Sequence, residues 1–201
     1  MPSPRERMVV SAALLIRERG AHATAISDVL EHSGAPRGSA YHYFPGGRTQ
    51  LLCEAVDYAG DHVAGIIAGA DGGLDLVDTL IDKYRRQLLT TDYRAGCPVA
   101  AVSVEAGDQD DRERMAPVNE RAAAVFDRWS DLIAQRFIAD GIAPERAREL
   151  AVFATSAIEG AILLARVRRD LTPLDVVHHQ LRDLLSAAAD DAPGKERADD
   201  R

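Results

Sequence analysis

Cysteine, aromatic residues and basic excess are all scarce in this chain of 201 residues. Two cysteines, Cys53 and Cys97, cannot build a disulfide framework, and their number fits a reducing cytoplasm. Aromatics make up only 5%, while Ala, Leu and Val dominate, which favours packed helices over a sandwich or barrel. No apolar run reads as long enough to cross a membrane. The opening MPSPRERMVVSAALLIRERG has charges on both sides of its apolar middle and no small-residue cleavage site, so it reads as a helix rather than a signal peptide. The motifs of the common catalytic sites are missing too: no P-loop, no GxGxxG after a strand, no GxSxG, no CxxC. His178 and His179 are adjacent and point apart on a helix, so they make no metal pair. Neither an enzyme nor a bound metal or cofactor is expected. The net charge of −8 also argues against an architectural protein that coats DNA by basic excess.

The charge that is present is unevenly spread. Residues 1–50 carry six arginines (5, 7, 17, 19, 37 and 48) against four acids, and three of the six histidines: His22, His32 and His42. The other 151 residues carry 18 basic and 28 acidic side chains. A mildly basic head on an acidic body lets one end approach phosphates while the other is repelled.

Apolar residues recur at helical spacing over most of the chain, and no βαβ alternation or internal repeat is evident. The pattern predicts helices over 4–19, 25–33, 37–44, 48–69, 74–90, 113–140, 144–169 and 173–189, with a short buried one after Cys97-Pro98 and a polar break at 108–112. The tail 190–201 has charge, Pro and Gly but no core residues, so disorder is expected there. The fold class is therefore all-α, of about nine helices. It divides into a three-helix head over 1–48 and a helical bundle over 49–189.

The stretch Ser33–Arg48, SGAPRGSAYHYFPGGR, organises the head. Gly34 is a tight-turn residue, Pro36 suits a first helical turn, and Pro45-Gly46-Gly47 stops the short helix that Pro36 opens. Between them lie Arg37, Ser39, Tyr41, His42 and Tyr43, with almost no carboxylate nearby. Helix, short turn, helix is the helix-turn-helix pattern, whose second helix reads the DNA major groove. Taken singly, Tyr41 or Tyr43 reads as a half-buried core aromatic and His42 as a solvated histidine. Together at this spacing they favour DNA contact.

Over residues 5–60, and above all in GAPRGSAYHYFPGGRTQLL, the sequence resembles the TetR family of bacterial transcription regulators. The Pro-Gly-Gly before Arg48, with the later GCPVAA and ATSAIEGAILLARVRRD, resembles the LmrA/YxaF-like branch. The resemblance implies DNA contacts from Arg37, Gly38, Ser39, Tyr41, His42 and Tyr43, with phosphate contacts from Thr24, Ser27 and Arg48, and Ala40 and Phe44 packing inward. Chemistry agrees: Arg37 can pair bidentately with guanine or clamp a phosphate, Gly38 permits close backbone approach, and hydroxyls suit phosphate oxygens. Arg48 stands at the positive end of the fourth helix. Three positions depart from the pattern: Ser27 stands where many relatives have Arg, Ala25 where Thr is frequent, and Pro36 where Ser is frequent.

For the body the resemblance implies a homodimer built on the last two helices. The residues fit: Ala154, Ala157, Gly160 and Ala161 allow close helix approach, while Leu163, Val177, Leu181 and Leu184 add apolar area. It also implies an inducer pocket, with His62, Ile66, Tyr84, Leu88, Cys97, Val104, Val118, Phe126, Trp129, Phe153 and Glu159 as candidates. Any one of these reads equally as core; Phe126 and Trp129, three residues apart, are as much core as pocket. The expected function is a ligand-responsive regulator, by default a repressor, in the bacterial cytoplasm. It would bind a near-palindromic double-stranded operator as a dimer and be released by a small apolar or aromatic inducer. Its partners would include no membrane. The alternatives are an activator or a DNA binder that does not switch.

Overall fold

The first helix shows how the sequence sets the ends of its own elements. Ser3 accepts the Glu6 N–H at 3.2 Å while the Glu6 carboxylate accepts the Ser3 N–H at 2.6 Å, a reciprocal cap completed by Pro4 in the first turn. The computed structural model describes residues 2–105 and 109–190. Among them the helices are α1 (Pro4–Arg19), α2 (Ile26–Ser33), α3 (Ala40–Tyr43), α4 (Gly47–Gly69), α5 (Gly73–Thr90), α6 (Pro98–Ser103), α7 (Gln109–Ala139), α8 (Pro144–Arg168) and α9 (Thr172–Asp190), with no strand. The all-α reading holds, and most boundaries fall within two residues of those predicted.

Three expectations change. The recognition helix is only four residues long, because Pro36–Ser39 closes as a turn: the Pro36 carbonyl accepts both the Ser39 N–H at 2.9 Å and the Ser39 hydroxyl at 2.7 Å. Residues 109–112 of the polar break form the first turn of α7, where Asp110 and Asp111 complement the helix dipole. And α8 is long and apolar enough to cross a membrane by length and composition, with mean hydropathy 1.7 over its best window. Asp190 closes α9; the rest of the tail expected to be disordered lies outside the described residues.

The head forms where α1, α2 and α3 bury Met8, Ala12, Ile16, Val29, Ala40 and Phe44 against Leu51 and Leu52 of α4. Two left-handed glycines make its corners, Gly34 at φ 64° after α2 and Gly47 at φ 65° opening α4. In the body α4 lies on α7, α7 on α8, and α8 on α9, with α5 against α9. Asp78 on α5 fixes that last contact, accepting from His178 at 2.7 Å and from Arg182. This occupies one of the paired histidines.

In the body α4 comes close to α7 at Gly60. The Gly60 carbonyl accepts the Trp129 indole N–H at 2.9 Å, and a Cβ added to Gly60 would stand 2.7 Å from Val125 Cγ2. Valine is stiff at χ1 and cannot swing aside cheaply. Gly60→Ala should therefore lose more to overpacking (about 1–3 kcal/mol) than it gains in helix propensity (about 1 kcal/mol). Urea denaturation is expected to show a net loss of up to about 2 kcal/mol; a more stable variant would contradict this packing.

Candidate nucleic-acid interface and buried cavity

The turn and helix after Gly34 stand at the outer end of the head. Arg37, Gly38, Tyr41 and His42 are exposed, Tyr41 to 72%. The inward residues Ala40 and Phe44, each 1% exposed, hold the turn against α1 and α4. Of the six head arginines, five are engaged within the chain. Arg5 pairs with Glu54 at 2.7 Å and lies over the Phe44 ring, and Arg19 pairs with Asp28 at 2.7 Å. Arg7 donates to the Ser33 carbonyl at 3.2 Å, and Arg17 to Gln87 at 3.2 Å. Arg48 donates to the carbonyls of Ala21 and Thr24. Arg37 has no hydrogen bond or ion pair to any described residue, and it lines an open groove with Ser27, Leu30, Glu31 and Gly34.

The expected DNA contacts thus separate. Ser27, Arg37, Gly38, Tyr41 and His42 are all exposed, and Ser27 and Arg37 line one groove. Thr24 is not available: it is 1% exposed and its hydroxyl donates to the Gly20 carbonyl at 2.7 Å, tying the loop before α2. Nor does Thr24 cap α2, whose Ala25 N–H is met by the Asp28 carboxylate at 3.1 Å. Ser39 spends its proton on Pro36, and Tyr43 is half-buried with its ring edge-on to His42 at 5.1 Å. Arg48 is first of all a clamp on the α1–α2 loop.

The body holds a cavity of about 140 Å³ between α1, α4, α5, α6 and α7, lined by Arg17, Tyr58, His62, Lys83, Tyr84, Gln87, Cys97 and Trp129 among others. A smaller void of about 20 Å³, sharing Val63, Tyr84 and Trp129 with it, reaches Glu159 on α8. Five pocket candidates, His62, Tyr84, Cys97, Trp129 and Glu159, therefore come together. The others do not. Leu88 and Val118 are fully buried core, and Ile66 and Phe126 are partly buried beside it, Phe126 edge-on to Trp129 at 5.4 Å. Val104 is 78% exposed after α6, and Phe153 is 48% exposed on the outer face of α8. Sequence reasoning misses Arg17 and Lys83, although their signal is legible: Lys83 lies three residues after Leu80, and Arg17 four after Ala13, on the apolar side of each helix.

Burial sets the protonation of this cavity. It pushes the Tyr84 phenol and Cys97 thiol well up, so both keep their protons, and it pushes the Glu159 carboxyl up to about 7. Burial, with some repulsion from Arg17, lowers Lys83; partial burial, with repulsion from Lys83, lowers His62 at the mouth.

On α8, Phe153, Ser156, Gly160, Leu163, Leu164 and Val167 form one exposed, mostly apolar stripe, and Val176 on α9 is exposed as well. Gly160 and Leu163 lie on it, and Ala157, Val177 and Leu184 are half-buried at its margin. Ala154, Ala161 and Leu181, each 2% exposed, face the protomer's own core, so three expected interface residues are not on this surface.

Comparison with known proteins agrees with this architecture. Residues 9–55 match the model of the bacterial regulatory proteins of the tetR family, and residues 74–180 that of the LmrA/YxaF-like transcriptional regulator C-terminal domain. The chain is 83% identical over 187 residues to the HTH-type transcriptional regulator Rv0196 of Mycobacterium tuberculosis, covering 93% of this chain and 96% of that one. It is 33% identical to the HTH-type transcriptional regulator YxaF of Bacillus subtilis, covering 90% and 94%. A TetR transcriptional regulator from Chloroflexus aurantiacus superposes with a TM-score of 0.70 at 32% identity, covering 91% and 94%.

The raised Glu159 fixes the sign of a pH effect. The folded chain holds this proton up to about 7, whereas an unperturbed glutamate releases it near 4.5, so stability falls as pH rises between those values. Glu159→Gln removes that loss. Its stabilising effect should be greater at pH 8 than at pH 5 by about 1–3 kcal/mol, read from urea denaturation at the two pH values. An equal effect at both would contradict the buried carboxyl.

Proposed function

The chain belongs to the TetR family of bacterial transcriptional regulators, with a body of the LmrA/YxaF-like kind, and from that premise we propose that it acts as a dimeric, ligand-responsive repressor on a near-palindromic operator, in the cytoplasm. Residues 1–48 serve as the reading head, and 49–189 as the effector-binding and dimerising body. One observation carries the reading: the exposed Arg37–His42 surface has an arginine with no partner among the described residues, while the other five head arginines are engaged. Arg37, Tyr41 and His42 face the major groove, and Ser27 lies by the phosphates. Arg48 keeps the loop before α2 in place.

The stripe on α8 supports the dimer. An exposed apolar surface of this kind on a helix with such hydropathy is what a partner copy covers. Two heads then meet half-sites about one helical turn or a multiple of it apart. The cavity supports the ligand response, since a ligand shifts the molecule toward the conformation it binds better, and only by that difference.

Electrophoretic mobility shift with DNA from upstream of the chain's own gene, against random DNA, tests the operator; equal binding to both would sink it. Arg37→Ala is expected to lose about 1–3 kcal/mol of discrimination between bases while its melting temperature stays that of the wild type. Arg48→Ala is expected to lower the melting temperature and weaken binding to every sequence alike. Leu163→Glu should yield monomers by light scattering, and a dimer of unchanged mass would move the interface elsewhere.

A further inference from the structure

The cavity has cations facing each other and little to balance them. Arg17 Nε is the one buried side-chain nitrogen or oxygen among the described residues without a hydrogen-bond partner. Lys83 makes no ion pair with any described residue; its ammonium lies 3.8 Å from the centroid of the Tyr84 ring. Lys83 and Arg17 repel one another across the site, and Lys83 repels His62. The nearby acid, Glu159, with its carboxyl pushed up to about 7, is only partly ionised near neutral pH and so balances Lys83 only in part; the protonated Cys97 thiol is hydrogen-bonded to it, and the Tyr84 phenol to Cys97. Gln87 turns its oxygen to Arg17 and its nitrogen to the Gly96 carbonyl, which fixes the orientation of its amide. The site therefore holds more positive charge than its one partly ionised acid balances, with the Arg17 Nε–H still lacking an acceptor. Unpaired charge in such a place is costly, and an anion offsets that cost.

The walls narrow the choice. Tyr58, Tyr84 and Trp129 flank the space, and about 140 Å³ is close to the ~150 Å³ that holds a benzene ring in an engineered cavity. We infer that the cavity takes a small planar ring bearing an anionic oxygen, a carboxylate or phenolate, with Arg17 and Lys83 as its counter-charges. This deepens the ligand-responsive reading and rests on it for the consequence of binding. Arg17 belongs to α1, so the ligand would touch a helix of the reading head directly.

Isothermal titration of the full chain with benzoate, benzamide and acetate separates charge from ring. Benzoate is expected to bind at least about tenfold tighter than either of the others. Arg17→Gln and, independently, Lys83→Gln should bring the benzoate-to-benzamide ratio close to one. Benzamide or acetate matching benzoate, no binding of any of the three, or an unchanged ratio in both variants would each overturn the inference. Benzoate held through Arg17 by a chain that shows no selective DNA binding would end the operator reading and leave the anion site standing.

Discussion

Carbonyls in the last turn of a helix have no partner within it, and in α1 the body supplies them. The Gly96 N–H donates to the Arg17 carbonyl at 2.7 Å, and Arg166 of α8 donates to the Glu18 carbonyl at 3.2 Å and to that of Arg94. The next turn of chain is held the same way, with Glu105 accepting the His22 N–H at 2.9 Å. The end of α1 is thus a member of both halves of the molecule. Any shift of α5, α6 or α8 relative to α1 must exchange these bonds for others or leave polar groups unpaired, at about 1–3 kcal/mol each when buried. The cavity is bordered by α1, α5 and α6, so these bonds lie beside it. The head is tied to the body by these hydrogen bonds as well as by the apolar packing of α1 on α4 and α6.

Most of the secondary structure is legible in the sequence because its causes are local. Apolar spacing marks the helices, and Gly34 and Gly47 mark corners that other residues enter only with strain. Ala40 and Phe44 are buried where the family resemblance places them, inward. The residues that sequence misplaces share a different cause, which is partners distant along the chain. Nothing near Arg48 announces that its guanidinium reaches back to Ala21 and Thr24, or near Thr24 that its hydroxyl folds onto Gly20. Hydroxyls and guanidinium groups serve loops and phosphates equally well, so residue type does not tell a clamp from a contact.

The face of α8 differs from expectation by a rotation rather than in kind. Small residues suggest the places where a partner helix comes near, yet Ala154 and Ala161 let α8 approach its own protomer, while the larger Phe153, Leu163 and Leu164 are left outside. A helix apolar on most of its circumference gives no amphipathic phase to choose between faces. The choice falls to its neighbours α7 and α9, which cover one side and leave the other. The same ambiguity explains why Phe153 reads as a cavity residue and belongs to the outer stripe.

The head's charge also takes a different meaning from its structure. A surplus of arginine over acid in residues 1–50 looks like an electrostatic footprint. Yet Arg5 and Arg19 are cancelled by Glu54 and Asp28, and Arg7, Arg17 and Arg48 are held by carbonyls or Gln87. Each neutralised phosphate contributes to affinity by releasing counter-ions. A head with a single arginine unengaged by the described residues gathers little of that sequence-independent term. On the function proposed above, what remains is contact with base edges through Arg37, Tyr41 and His42, which would be weak for one head and discriminating for two. The shortage of free positive charge therefore argues for paired heads and for binding that depends on sequence more than on salt.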